Sequence, residues 1–471
     1  MATINEQQEA EAAADSARLD GAATATAGLE DDALEPETPA TILIAGAGIV
    51  GLVLALALKE HLGITAELYE QAAHFQEDVG AGMGMYPNGL RVIRDISPTL
   101  LKTIRESGCP FGVRRWERHD GTQIVSANDS VLGGGDEEVQ SMGIRRWRLQ
   151  KALFDAVCAA DIPVHFQKRT SNVLTREDGL VEISFEDGSK RLTRILFAAD
   201  GGKSAVRQLV ADPATKLEYT GVTCIMGMAD CAPPQNGLTF MTASTTQCHA
   251  VYFPTMDGKE QCFQLHFPVS DEKADPLNWG TLRSSVGRQE CLNMANELRK
   301  DGWDERYIAP LEQVTRAVLV GFCTLQPRLP QWVYGSNRRI VLVGDAAHPP
   351  VPYTGQGAQM GIEDAGTIAL LLKSLCLDSD NKFDLTNFGL AMDIYEEMRI
   401  PRTGKILDVS AHFGSLEQRR AESAKFDIVQ AERMQRQVFF HLTLPAFLPG
   451  CEYNYRDDVK FVISQRFKDK Q

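Results

Sequence analysis

Hydrophobic and polar positions change rhythm several times along this chain, and each change predicts a different element. From Thr41 the run TILIAGAGIVGLVLALALKEHLG opens on a β-branched burst, crosses three glycines and continues as an apolar stretch of helical length. AELYE, ending at Glu70, ILFAAD, ending at Asp200, and RIVLV before Gly344 are short apolar runs that each stop at a glycine or an acid, as buried strands do. Between residues 217 and 321 the texture shifts to VTCIMGMAD, HAVYFPTM and QCFQLHFPV, rich in β-branched and aromatic residues and separated by Gly, Pro and Asn. That pattern predicts a mostly antiparallel sheet, to which residues 113–139, with WERHDGTQIV and the Gly133-Gly134-Gly135 run, add strands. Past Pro401, RTGKILDVSAHFGSL and AESAKFDIVQAERMQRQVFFHL carry apolar residues at helical spacing and predict packed helices.

Length and composition bound the organisation. A chain of 471 residues exceeds one ordinary core, so two or more lobes are expected. Residues 1–38 hold ten acids against Arg18 alone, a balance of −9 out of a net −15, and contain no aromatic residue. Such a segment cannot bury enough surface to offset its ordering entropy, and disorder is predicted. It lacks the basic start of a secretory signal and the basic character of a transit peptide. Thr41 to Leu58 is eighteen uncharged residues, the length of a membrane span, but glycines at phosphate-binding spacing behind a strand signal predict strand, loop and buried helix instead.

Ten cysteines without a C-x-x-C pair and nine histidines without ligand spacing point to a reducing, cytoplasmic setting and no metal. The net acidity argues against a nucleic-acid partner. The apolar run 438–448 suits core burial better than a dimer or membrane surface, and a monomer or a homodimer is expected.

Three segments carry candidate chemistry. Gly46, Gly48 and Gly51 form G-x-G-x-x-G directly after a strand, and Glu70 closes the next strand nineteen residues beyond Gly51. Glycines at that spacing allow a tight turn and close approach of a pyrophosphate, and the acid can meet a ribose hydroxyl. Asp200-Gly201 ends a second strand, with Ser204 and Arg207 at the helix start that follows. Gly344-Asp345 ends a third, before a Pro- and Gly-rich loop in which Gly355 and Gly357 open an apolar helix. Asp345 can accept from the hydroxyls of a polyol chain, while backbone N–H groups near Gly355 and Gly357 offer a positive dipole end to a pyrophosphate or an electron-rich ring.

In this order the three segments resemble the single-component FAD-dependent monooxygenases of the para-hydroxybenzoate and salicylate hydroxylase type, from about Ala40 to about Met398. Ala198 departs from the pattern, where relatives often carry Gly. GAGMGMYPNGLR resembles the segment lining the flavin ring, with Gly82 and Asn88 in place, and Arg146 falls where relatives set an arginine against the flavin, flanked by Arg145 and Arg148. The resemblance implies an α/β fold with a discontinuous Rossmann-like FAD-binding domain (39–112, 140–216 and 322–400), a mostly antiparallel β substrate domain (113–139 and 217–321) and a C-terminal helical region (401–471). It assigns Asp200, Gly201 and Arg207 to FAD and the nicotinamide pyrophosphate, and gives His348 a supporting role in GDAAHP.

The same resemblance implies chemistry. NADPH or NADH reduces FAD, O2 forms a flavin hydroperoxide, and one oxygen passes to an aromatic or other electron-rich cyclic substrate by hydroxylation or epoxidation, in a setting such as secondary metabolism. A halogenase or reductase on the same fold, or a non-catalytic flavin protein, is the alternative; the absence of a W-x-W-x-I-P stretch weighs against a halogenase. No residue stands out as a general base; His249, Tyr252, His266 and Tyr353 are the candidates. Met83, Met85, Met226, Met228 and Met241 are candidates to line an adaptable pocket for a bulky ligand, and Arg145 or Arg148 to meet a carboxylate.

Overall fold

The computed structural model describes residues 38–75, 77, 80–129, 136–233, 235–242, 248–269, 280–281, 284–422 and 453–466. The expectations for residues 1–37, for Gly133 to Gly135 and for the run 438–448 fall outside them.

Strand Ala40–Ala45 lies inside an eight-stranded sheet, pairing in parallel with Lys190–Ala198 on one side and Glu67–Tyr69 on the other. Ile340–Leu342 continues the parallel order beyond Lys190–Ala198, and Val164–His165 beyond Glu67–Tyr69. Ile42, Leu43 and Ile44 are all fully buried, so the strand is covered on both faces, as an unbroken apolar run demands. Register then fixes function. Ala45 pairs with Ala198, and Ala198 with Leu342, so three strands end level and the loops after them open at one edge of the sheet. Those loops begin at Gly46, Ala199 and Val343, and they carry the three motifs. Ala198 itself is fully buried in the ladder, where nothing demands a glycine.

The helix after the first strand, Ile49–Leu62, packs against Gly357–Leu375, which is buried along most of its length. A Cβ on Gly361 would come within 2.5 Å of Val50, so this helix pair depends on a small residue at its crossing. No helix among the described residues is long and apolar enough to cross a membrane.

A second eight-stranded sheet runs Gly280–Thr281, Val314–Gln326, Lys216–Ala229, Glu260–Pro268, His249–Thr255, Leu238–Thr242, Val113–Arg118 and Gln123–Asn128. It is antiparallel except where Leu238–Thr242 meets Val113–Arg118. Lys216–Ala229 and Val314–Gln326 pair from Lys216 with Gln326 to Ala229 with Val314. The expected boundaries at 216/217 and 321/322 therefore fall inside one continuous ladder. The texture of the sequence changes there, whereas the backbone hydrogen bonds run on through it. The boundary at 400/401 likewise falls inside helix Phe388–Glu422, which carries Pro401 in its interior.

A three-stranded sheet, Gly82–Met85, Met142–Arg145 and Gly108–Pro110, joins the two larger ones. A Cβ on Gly82 would lie 2.6 Å from Cys262 Cβ and 3.1 Å from the Phe253 ring, so the joining strand sits directly on the second sheet. Helix Tyr455–Arg466 closes the described chain and packs on the first core through Tyr455 and Val459.

Candidate active site

The three level strand ends border a cleft of about 970 Å³. Gly48, Gly201, Asp345, Gly355 and Gly357 line it, as do Gly82 and Arg146 from the joining sheet. Gly46, Gly51, Glu70, Asp200 and Gly344 do not line it themselves, although Gly48, Val50, Gln71, Gly201 and Asp345, beside or near them in the chain, do. Gly46 has φ +99°, and a Cβ there would lie 2.5 Å from the Ala199 carbonyl oxygen, so the first two loops touch. A Cβ on Gly51 would come 2.0 Å from the Gly46 carbonyl oxygen, so the helix can start only where the glycines allow it. Arg207 joins the other two loops. Its guanidinium donates to the carbonyl oxygens of Gly202 at 2.6 Å, Ala346 at 3.0 Å and Asp345 at 3.4 Å.

Two helix starts face this cleft without a side-chain cap. Ile49–Leu62 follows Gly48 and Gly357–Leu375 follows Gln356, neither first turn holds an acid, and Gly48, Ile49, Val50, Gly357 and Ala358 all border the space. Open backbone N–H groups at two helix N-termini form an anion-binding environment.

Acids complete it. Glu70 Oε2 accepts from the Ala47 N–H at 2.8 Å and Oε1 from the Ala72 N–H at 2.9 Å, which leaves each oxygen a further lone pair. Asp200 Oδ2 accepts from the Val206 N–H at 3.2 Å, while its buried Oδ1 has no protein partner among the described residues. Burial pushes the Asp200 carboxyl above its ordinary range. Asp345 lines the cleft and makes no side-chain hydrogen bond among the described residues; burial raises its pKa against the pull of His348, Arg146 and Arg207. It is an acceptor waiting for donors.

The three neighbouring arginines separate cleanly. Arg146 alone among them borders the cleft, with Nη1 donating to Gln150 at 3.2 Å. Arg145 Nε is held by Glu260 at 2.6 Å, and Arg148 reaches Met256 Sδ at 3.0 Å and lies over Trp147. Neither borders the cleft, which corrects the expectation that one of them meets a carboxylate.

Under the loop lies a buried charge network. His348 Nε2 and Asp364 Oδ2 are 2.6 Å apart, and the same Oδ2 accepts the Gly344 N–H at 3.0 Å. Arg399 donates to Asp364 at 2.7 Å and to Glu363 at 2.6 Å, and Arg402 and Asn88 also donate to Glu363. Burial by itself would raise both carboxyls, but Arg402 and Arg399 hold Glu363 low, and His348 and Arg399 hold Asp364 low. The network fixes the strand end that presents Asp345.

The far half of the cleft is walled by the second sheet. Trp116, Phe240, Val251, Phe253, Val320 and Phe322 make it apolar, with Gln264, His249 and His266 among them. His249 and His266 face each other across adjacent strands. The buried His266 has its ring against Phe322 at 5.1 Å and Tyr353 at 5.6 Å, and its Nε2 has no hydrogen-bond partner among the described residues. Burial and His249 push its pKa down to about 3, so the imidazole is neutral. Tyr353 borders the cleft too. Tyr252 does not: strand alternation turns it to the opposite face, where its hydroxyl donates to the Tyr307 carbonyl at 2.7 Å. Of the methionines, Met83, Met226 and Met241 border the cleft, whereas Met85 and Met228 are core residues.

Arg114 is a wall residue that the sequence reading missed. It is buried, its Nε is paired with Asp129, it donates to Ser141 Oγ at 3.1 Å, and its guanidinium lies 4.9 Å over the Tyr86 ring. The signal was weak, since FGVRRWER offers three arginines and only strand parity tells Arg114 from Arg115. Arg399 and Arg402 were missed as well, although their i, i+3 spacing beside apolar positions marks one buried helix face.

A family model described as FAD binding domain matches residues 39–296. Salicylate hydroxylase of Pseudomonas putida is 28% identical over 79% of this chain and 85% of that enzyme. The 6-hydroxynicotinate 3-monooxygenase of Bordetella bronchiseptica is 27% identical over 78% of this chain and 90% of its own length. The crystal structure of Klebsiella pneumoniae HpxO complexed with FAD and uric acid superposes with a TM-score of 0.66 at 20% identity, over 87% of this chain and 97% of that one, and so shares the fold. The chain belongs to the FAD binding domain family and is a class A FAD-dependent aromatic monooxygenase.

Proposed function

We propose that the chain hydroxylates or epoxidises an electron-rich ring with NADH or NADPH and O2, holding FAD along the three level loops. One observation carries this reading: two uncapped helix starts and unsatisfied acids at one end of a single cleft lead directly into an apolar, aromatic-walled end. Bound there, FAD supplies hydride acceptance and the activation of O2. The protein's share is binding, orientation and dryness. In this reading the N–H groups after Gly48 meet the pyrophosphate and Glu70 a ribose hydroxyl. Asp345 accepts from the ribityl hydroxyls, and Asp200, accepting from the Val206 N–H, holds the Gly201 loop against the cofactor. Gly355 and Gly357 bring backbone N–H groups to the ring, and Arg146 adds positive charge beside Asp345. Arg207 holds the Asp200 and Asp345 loops together. The apolar wall excludes water from the reacting carbon.

His249, His266 and Tyr353, which border the cleft, are the candidates for contact with a substrate in this reading. Salicylate hydroxylase and 6-hydroxynicotinate 3-monooxygenase act, by their names, on hydroxylated rings, which favours the same reaction class here. A cytoplasmic setting and a role in secondary metabolism are part of the proposal. Purified FAD-loaded protein should oxidise NADH or NADPH several-fold faster with a phenolic or indolic substrate than without, and yield an oxygenated product. Dependence on halide would instead identify a halogenase, and a colourless or inert preparation would refute the proposal.

A further inference from the structure

One face of the second sheet walls the cleft, and strand register sets a row across it. Val318, Met226, Gln264, Val251, Phe240 and Trp116 stand side by side on neighbouring strands, and all six border the space. Five are apolar, and the sixth, Gln264, is a primary amide in the middle of the row. Alternation along its strand turns Phe263 and Leu265 into the core on the opposite face, where both are fully buried, and turns the half-buried Gln264 to the cleft. Its open surface is therefore cleft surface. Among the described residues its polar side-chain partner is the Cys262 thiol, two residues back on the same face, a weak acceptor that leaves the amide carbonyl and one N–H unmatched. A ring that displaces water from this row must meet those two groups or leave them buried without partners, at a cost of about 1–3 kcal/mol. Position along the strand matters as well. A Cβ on Gly82 would lie 2.6 Å from Cys262 Cβ, so the strand that the family resemblance sets against the flavin ring crosses this wall next to Gln264. The cations that border the cleft, Arg114, Arg146 and Lys203, stand outside the row.

Building on the monooxygenase reading, we infer that Gln264 is a specificity-determining residue and that the ring it selects carries a neutral lactam edge, an N–H beside a C=O, paired edge to edge with the Gln264 amide. Both groups are planar and each sets a donor next to an acceptor, so one pairing matches both at once. A lone hydroxyl or carbonyl matches one, and a carboxylate sets its second oxygen against the Gln264 carbonyl. The apolar neighbours in the row supply the rest of the affinity by burial and stacking.

Three ligands of one shape test it: 2-quinolone, which has the lactam edge, coumarin, in which a ring oxygen replaces the N–H, and naphthalene, which has neither group. Each is titrated by calorimetry into FAD-loaded protein without nicotinamide. The quinolone should bind at least about tenfold more tightly than coumarin, a difference of about 1.4 kcal/mol. Gln264→Met, which keeps the volume, should bring the quinolone-to-coumarin ratio to about one and leave naphthalene unchanged. A ratio near one in the wild-type protein, failure of the quinolone to bind, or a ratio that persists in folded Gln264→Met would overturn the inference, and the first two outcomes need no variant. Lactam selectivity that depends on Gln264, in a protein that never oxidises NADH or NADPH, would sustain this inference and refute the monooxygenase reading. Oxygen insertion into a ring without a lactam, with the same kcat/KM in wild type and Gln264→Met, would do the reverse.

Discussion

Asp345 is an acceptor held where its charge is disfavoured, at a strand end, close to Arg146 and Arg207 but bonded to neither through its carboxylate. A group so placed gains most when hydroxyl donors arrive. Asp345→Ala should therefore weaken FAD about 10- to 100-fold, the loss of one or two hydrogen bonds to a charged acceptor. Flavin absorbance after dialysis reads this directly, and full occupancy in the variant would contradict the assignment. His266 makes a different prediction. Its pKa is lowered from 6.5 to about 3 on folding, so between those values the unfolded chain binds the extra proton and stability falls as pH falls. Urea unfolding of wild type at pH 4.5 and pH 7 should show this, and His266→Leu should remove roughly 2–3 kcal/mol of the difference. An unchanged pH slope in the variant would mean that the imidazole is charged in the native protein. At this scale the sequence was partly legible. Glycines and acids in the loops could be placed by motif spacing. Arg146 was singled out by its resemblance, whereas the exclusion of Tyr252 depended on strand parity that spacing does not encode.

Helices supply the second layer of control. Gly357–Leu375 presents its bare start to the cleft and, two turns on, buries Glu363 and Asp364 against Arg399 and Arg402 of Phe388–Glu422. His348 and the Gly344 N–H both converge on Asp364, so the second helix reaches the Asp345 loop through two side chains. Removing Arg399 leaves two buried carboxylates undercompensated, and Arg399→Ala should destabilise the fold by about 3–5 kcal/mol. Arg399→Met, which keeps the volume, should recover little of this, since the carboxylates stay buried. Denaturant midpoints check both, and a loss under about 1 kcal/mol would show that the network carries no net weight. The existence of these helices followed from apolar periodicity, but their partnership did not. Periodicity reports which face is buried and is silent about which distant charge meets it. For the same reason the boundary expected at 400/401 cut through a helix that runs on past Pro401.

At the scale of the molecule the decisive fact is registration. Ala45, Ala198 and Leu342 are neighbours in one parallel ladder, so segments separated by more than a hundred residues bring Gly48, Gly201 and Asp345 to one cleft. The parallel sheet was readable from three apolar runs that each stop at a motif, and the antiparallel lobe from its shorter β-branched runs. The long ladder of Lys216–Ala229 with Val314–Gln326, which runs across the expected boundaries at 216/217 and 321/322, was not readable, since composition changes partway along strands that stay paired. The claim that unites these scales is oxygen transfer from O2 to a ring bound beside FAD. The direct measurement is turnover of FAD-loaded protein with NADH or NADPH and an aromatic substrate under isotopically labelled O2, with mass spectrometry of the product. The account predicts one labelled oxygen atom in the product for each nicotinamide oxidised; a product whose new oxygen is unlabelled, or derives from labelled water, would contradict it.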